Sequence, residues 1–147
     1  MLRLISPALA TLLAFSLCHA PAAAAQERTL YQRLGGYDAI AAVTDDFVGR
    51  LISDPRFERG FAGHSTDSKN RIRQLIVDQL CMATGGPCVY IGRDMKTTHA
   101  GLGISGADWD AMVVLLTATL DKFKVPTREQ GELLGALAPL RAQIVEK

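Results

Sequence analysis

The stretch GRDMKTTHAGLGI, from Gly92 to Ile104, holds a single histidine, His99, between a Met-Lys pair and two glycines. A histidine in this setting either fills a core or loop position as a hydrogen-bonded imidazole or binds a metal. As a metal ligand it needs a partner for its second ring nitrogen, which keeps the imidazole neutral and fixes its orientation. The spacing alone leaves both interpretations open.

Three other side chains of the chain beyond residue 25 could join His99 in metal chemistry: His64, Cys81 and Cys88. Their separations lack the close ligand pairs of structural zinc sites, so the pattern does not favour zinc. A CxxCH motif, which would attach a haem covalently, is absent from the sequence. The segments LGGYDA and TGGPC are typical of turns and helix ends, because no strand precedes them as a nucleotide-binding loop requires.

An apolar stripe gives His99 a candidate cavity. Ile72, Ile76 and Leu80 are spaced by four in SKNRIRQLIVDQLCMA and therefore share one face of a helix. Met95 and Ile104 lie on either side of His99 and could close a cavity against that stripe. Haem is the cofactor that combines one histidine ligand with a mostly apolar slot between helices, so these residues are compatible with a haem site.

The elements that would position these residues are helices throughout, which predicts an all-α fold. The segment YDAIAAVTDDFVGRLI has an apolar stripe at helical spacing on one face, formed by Ile40, Val43, Phe47 and Leu51, and Asp54-Pro55 is predicted to start a short helix. Ser105 with Asp108 forms a capping box before ADWDAMVVLLTATLDKF, which is apolar on nearly all sides and is predicted as the central helix. Pro126 and Thr127 with Gln130 are predicted to cap the last helix, and the interior Pro139 to kink it.

The first residues predict export. Arg3, the apolar run Leu4 to Cys18 and the small residues of HAPAAAAQ are typical of a secretory signal peptide, assigned to residues 1–25. The run is short and carries Pro7, which disfavours a permanent membrane anchor, and Leu17 disfavours a lipid on Cys18. The predicted location is the periplasm.

The intact mass of the exported protein tests this cleavage. We expect the mass of a chain that begins at or near Gln26, and a mass that retains residues 4–18 would contradict the prediction.

One soluble domain is expected over residues 26–147, given 48% hydrophobic and 21% charged residues in a chain of 147. Loss of Arg3 from the sixteen basic residues leaves fifteen against fifteen acidic ones. A net charge near zero predicts no nucleic-acid partner and no membrane association after cleavage.

The two remaining cysteines, Cys81 and Cys88, are predicted to form a disulfide in an oxidising compartment; the alternative is two buried thiols.

Several segments together resemble the group 1 truncated haemoglobins over nearly all of residues 29–147. They are LYQRLGGYDAI, DDFVGRLISDPRF, Gly60-Phe61, ATGGPCVYIGRDMKTTHAGLGI and ALAPLR. The resemblance implies a two-over-two helical sandwich that encloses a non-covalent b-type haem, with His99 as the proximal iron ligand. It also implies contacts from Phe61 on the haem face, from Met95, and from Lys96 near the propionate edge. The expected haem-contacting set is Phe47, Val48, Phe61, Ile72, Ile76, Leu80, Met95, Lys96, His99 and Ile104.

The departures from that family concern the distal side of the haem. Relatives commonly carry Phe-Tyr where this chain has Phe47-Val48, and that tyrosine donates a hydrogen bond to the gas ligand, which Val48 cannot do. We therefore expect an apolar distal side with fast dioxygen release. Two side chains would change this expectation. Gln79 could turn into the pocket from the stripe, and His64 could bind the iron as a second protein ligand.

The function that follows is binding of dioxygen or another diatomic gas at a haem iron. One alternative is a haem redox enzyme, with peroxidase-like or nitric-oxide chemistry, which would need a distal donor and an electron-donor protein. A gas or redox sensor and a helical module without haem are the others.

Overall fold

The computed structural model describes residues 27–147, and within that range the chain forms helices and no β-strand. The predicted signal peptide lies outside the described residues. None of the helices within residues 27–147 combines the length and apolarity needed to cross a membrane. The α-helices are α1 (Leu30–Arg33), α2 (Gly36–Ser53), α3 (Glu58–Phe61), α4 (Thr66–Ala83), α5 (Met95–His99), α6 (Gly106–Lys122), α7 (Thr127–Leu137) and α8 (Arg141–Ile144).

Helix α2 organises the packing, because it contacts both α4 and α6. α7 in turn packs against α6 and α4, so the pairs α2–α4 and α6–α7 lie against each other. The predicted α2 stripe is confirmed: its four apolar members are all buried and join residues of α4, α6 and α7 in one core. This core contains Ile40, Val43, Phe47, Leu51, Val77, Leu80, Cys81, Leu116, Leu120, Leu133 and Leu137.

The expectation that α6 is the central helix was wrong. Val114 of α6 is 65% exposed, although Leu116 and Leu120 are 1% exposed. One side of α6 therefore faces solvent in spite of its apolar composition, and α2 takes the central place. The part of α6 that carries Val114 lies outside the surface that α2 and α7 cover.

Two predicted helix starts are confirmed. Asp54 accepts a hydrogen bond from the Arg56 backbone (3.0 Å) and opens a 3-10 turn at Pro55–Phe57. At α6, Ser105 Oγ accepts from the Asp108 backbone (3.2 Å), while the Asp108 carboxylate accepts from the Ser105 backbone (2.9 Å). This reciprocal pair satisfies amides that the first turn of the helix leaves without partners.

The predicted cap of the last helix was wrong. Helix α7 begins after Pro126 without a side-chain cap, and Gln130 instead donates to Asp121 and to the Val125 carbonyl, both at 2.9 Å. Pro139 does interrupt the helix, more strongly than a kink: α7 ends at Leu137, and a 3-10 turn at Ala138–Leu140 separates it from α8. Proline lacks the amide that a continuous helix would need there.

A disulfide joins the end of α4 to the loop that follows. Cys81 and Cys88 are bonded, with their Cα atoms 5.7 Å apart. The turn between them brings Gly86 so close that a Cβ there would lie 2.5 Å from the Tyr31 ring and 2.7 Å from Cys81 Sγ, so only glycine fits. The bridge also removes both thiolates from the four side chains first considered for zinc.

Thiol titration tests the bridge. Protein beginning at residue 26, unfolded without reductant, is expected to show no reactive thiol, and two after reduction. Since the closed loop is short, reduction is expected to lower the free energy of unfolding by about 2 kcal/mol. Two reactive thiols before reduction would show that the cysteines are not paired in the exported protein.

Candidate functional site

A cavity of about 450 Å³ lies among α2, α4, α5, α6 and the segment from the end of α7 to α8. Its volume falls within the range of roughly 300–1,000 Å³ that small-molecule and cofactor sites occupy. Most of its lining is apolar. The apolar lining residues are Phe47, Leu51, Phe57, Phe61, Ile72, Leu75, Ile76, Leu80, Met95, Leu102, Ile104, Trp109, Met112, Leu137, Leu140 and Ile144.

His99 is the last residue of α5 and lines this cavity half-buried. Its Nδ1 lies 2.8 Å from the Met95 carbonyl oxygen. Because a carbonyl oxygen only accepts, Nδ1 must carry a proton and donate, and in the neutral imidazole Nε2 then keeps its lone pair. A neutral imidazole held by its second nitrogen in this way is the usual form of a histidine that ligates a metal.

The placement of α5 begins with Asp94. Its carboxylate accepts hydrogen bonds from the Thr97 backbone (2.9 Å) and from Thr97 Oγ1 (2.7 Å). These two bonds, the side-chain one first, hold the pKa of Asp94 below its ordinary value, so the cap is ionised and complements the start of the helix. Met95 and His99, four residues apart, then face the cavity together.

Helix α4 contributes one row of residues to the cavity, and this row includes a polar one. Ile72, Ile76 and Gln79 are separated by four and three residues, so they share a helix face with Leu75 and Leu80. Gln79 is half-buried and lines the cavity, where its amide can donate hydrogen bonds to a ligand. Gln79 is the exception named beside the expectation of an apolar distal side, and it adds a polar group to the cavity lining.

Cationic and acidic groups lie together in the cavity lining. Arg56 is paired with Asp54, whereas Arg59 has no carboxylate within salt-bridge distance among residues 27–147. Asp108 also lines the cavity; bonds from Ser105, its backbone amide first, and the nearby arginines lower its pKa. Arg59 thus remains as a positive charge available to an acidic ligand.

The structure brings most of the predicted contact residues to the cavity. Phe47, Phe61, Ile72, Ile76, Leu80, Met95, His99 and Ile104 all line it, and so does the exposed His64.

Val48 and Lys96 are not among the lining residues. Val48 is 6% exposed but follows Phe47 by one helix position, which turns it about 100° away from the face that Phe47 and Leu51 present. Lys96 is exposed for the same reason, one position beyond Met95.

Other lining residues were not predicted from the sequence. Trp109 and Met112 lie three apart on α6, and that spacing could have indicated a shared face. Tyr90 and Arg59 come from a loop and from a four-residue helix, where no periodicity indicates which side chains point inward. The Tyr90 hydroxyl donates to the Arg93 carbonyl oxygen (2.8 Å), which holds the ring in place.

Comparison with known proteins agrees with this architecture. The family model of the bacterial-like globins matches residues 29–146. A group 1 truncated haemoglobin of Mycolicibacterium paratuberculosis is 32% identical over 120 residues, which cover 82% of this chain and 86% of the relative. One of Nostoc commune is 38% identical over 119 residues, covering 81% and 98%.

Solved structures show the same fold. The ferric truncated haemoglobin of Tetrahymena pyriformis superimposes with a TM-score of 0.74 at 28% identity, covering 82% of this chain and 100% of the other. A 2/2 haemoglobin of Synechococcus, whose haem is covalently attached, gives a TM-score of 0.73 at 24% identity over 82% of this chain and 100% of that one. The α2–α4 and α6–α7 pairs are accordingly the two layers of a two-over-two globin sandwich. The chain belongs to the bacterial-like globin family, among the group 1 truncated haemoglobins.

Proposed function

We propose that the chain binds a b-type haem non-covalently through His99 and binds a diatomic gas, such as dioxygen, carbon monoxide or nitric oxide, at the iron. The observation that carries this proposal is the His99 ring in the lining of a mostly apolar cavity, with Nδ1 bonded to Met95 and Nε2 without a protein partner among residues 27–147.

The cavity lining fits the parts of a haem. Apolar side chains from α2, α4 and α6 suit the macrocycle, and Arg59 suits a propionate carboxylate through a charge-assisted hydrogen bond. Arg59 replaces Lys96 as the candidate for that contact, since Lys96 is not part of the lining. The absence of CxxCH from the sequence supports non-covalent binding.

The roles of the protein groups follow from their positions. When bound, haem supplies an iron atom with a coordination position for a gas. His99 Nε2 would hold the iron through its lone pair, and the Met95 carbonyl, which accepts from Nδ1, would keep the ring oriented. The apolar lining excludes water, while the Gln79 amide can donate a hydrogen bond to a polar gas ligand.

Titration with haemin tests the proposal. Haem-free protein spanning residues 26–147 is expected to bind one haemin per chain to saturation, and the dithionite-reduced product is expected to bind carbon monoxide reversibly. Binding that does not saturate, or the absence of any haemin binding, would exclude this function. Either result would favour a helical module that kept the fold and lost the cofactor.

A haem redox enzyme is the second candidate, because Gln79 and His64 place two polar groups in the cavity lining. The His64 imidazole could move a proton to or from a bound substrate, and the Gln79 amide could donate a hydrogen bond to it. Turnover of peroxide or nitric oxide by the haem-loaded protein, faster than by free haem and reduced in Gln79→Leu and His64→Ala, would favour the enzyme over the carrier.

A further inference from the structure

The loop that follows His99 is held by a segment from the far end of the sequence. The Glu146 carboxylate accepts hydrogen bonds from the backbone amides of Gly101 (2.7 Å) and Gly103. The Glu146 amide donates to the Ile104 carbonyl oxygen (2.8 Å), and the Gly106 amide donates to the carbonyl oxygen of Lys147 (3.0 Å). Four hydrogen bonds therefore fasten residues 146–147 to residues 101–106, a set that we name the Glu146 clamp.

The clamp acts on a part of the chain that has little stability of its own. Helix α5 has five residues, far fewer than an isolated helix needs in water, and His99 is its last. Gly101 and Gly103 have φ angles of +81° and +62°, in a region that side chains disfavour. This backbone turns two amides toward one carboxylate, and hydrogen bonds to an ionised acceptor are among the stronger ones.

The surroundings of Glu146 keep it in this role. Its bonds to the Gly101 and Gly103 amides lower its pKa, so it is ionised at neutral pH. The Lys147 ammonium and the Arg59 guanidinium both lie near Gly103. A Cβ atom at Gly103 would be 3.3 Å from the Lys147 nitrogen and 3.4 Å from a guanidinium nitrogen of Arg59. Helix α8, which leads into this segment, packs directly on α5. The clamp and the α5–α8 contact therefore hold the same short helix.

We propose that Glu146 is a positioning residue for His99: by fixing the loop directly after the ligand, it holds the imidazole where Nε2 can bind iron. This inference rests on the proposed function. Met95 fixes the rotation of the ring through Nδ1, and the Glu146 clamp fixes the backbone that carries the ring. Removal of the carboxylate leaves the ligand itself in place and loosens its support.

The test compares Glu146→Ala and Glu146→Gln with a matched control, Glu132→Gln. Glu132 is also a surface carboxylate with a lowered pKa, but its hydrogen bonds go to Arg33 and Arg128, away from the cavity lining. Two kinds of measurement apply, one on the haem-free protein and one, in two parts, on the haem-loaded protein. One is hydrogen exchange of the Gly101 and Gly103 amides in haem-free protein. The other is the rate of haem transfer to an excess of another apoglobin, together with the iron–histidine vibration of the ferrous protein.

In Glu146→Ala the two amides are expected to exchange faster, haem loss to accelerate by about tenfold or more, and the iron–histidine band to broaden or shift. Glu146→Gln, which keeps one acceptor oxygen, is expected to lie between Glu146→Ala and wild type. Glu132→Gln should match wild type within about twofold. If Glu146→Ala does not fold, as judged by helical circular dichroism, Glu146→Gln alone decides by the same criteria.

Two results would overturn the inference, and they differ in what else they affect. If wild type binds haem and the amides exchange faster in the Glu146 variants, while haem loss and the iron–histidine band stay unchanged, Glu146 only supports the fold and the proposed function stands. If wild type itself binds no haem, the proposed function fails and this inference fails with it.

Discussion

Replacement of His99 by alanine is expected to weaken haem binding by more than about a hundredfold. Loss of a residue that only hydrogen-bonds to a metal ligand already costs roughly 10- to 100-fold in metal affinity, and His99 is proposed as the ligand itself. Among residues 27–147 the only other histidine is His64, which is exposed and follows α3. Haemin titration of the variant, compared with wild type, measures the change.

The matched control for this prediction is His64→Ala, which removes the other imidazole of the cavity lining. It is expected to keep the haem affinity of wild type and the iron–histidine signal of the ferrous protein. The assignment of His99 would be wrong if His99→Ala retained wild-type affinity, and His64 would be the ligand if only its replacement lost the haem.

Gln79→Leu is expected to raise the rate of dioxygen release from the ferrous protein by about 10- to 100-fold. Dioxygen becomes partly negative when bound, and a hydrogen bond to a charged group contributes about 1.5–3 kcal/mol. Since each 1.4 kcal/mol changes the rate by about a factor of ten, loss of this bond gives the expected range. Carbon monoxide remains less polar, so its release should change less. Stopped-flow measurement of both gases gives the two rates.

Gln74→Leu serves as the control for Gln79→Leu. Gln74 is on the same helix, but its amide donates to the Tyr37 hydroxyl and to Asp78, both at 2.9 Å, and it is not part of the cavity lining. Its loss should leave dioxygen release unchanged. A Gln79→Leu rate within twofold of wild type would mean that Gln79 does not reach the ligand, and would restore the expectation of an apolar distal side.

The fold was largely predictable because the signals that determine it are local. The stripe of α2 and the reciprocal cap at Ser105 and Asp108 depend on residues a few positions apart. The errors arose where contacts outside the helix itself decide. Gln130 bonds to Asp121 and Val125 rather than to its own helix start, and α6 exposes Val114 because no neighbour covers it.

The site residues likewise divide into those that local spacing predicts and those that only the folded chain reveals. His99, Met95 and the α4 row follow from spacing and from the motif around the histidine, and the structure brings them to one cavity. Gln79 was recognised as polar, but its orientation could not be read from the helix pattern alone. The contacts of Glu146 with Gly101 and Gly103 span more than forty residues, so no local pattern could have indicated them.

Coordination of iron by His99 can be tested most directly by chemical rescue. His99→Gly opens space for an external ligand, and the resonance Raman spectrum of the ferrous protein is recorded without and with added imidazole. We expect the iron–histidine band of wild type to be absent from the variant and an iron–imidazole band to appear on addition, with recovery of haem affinity. A variant that keeps the wild-type band without imidazole would contradict ligation by His99.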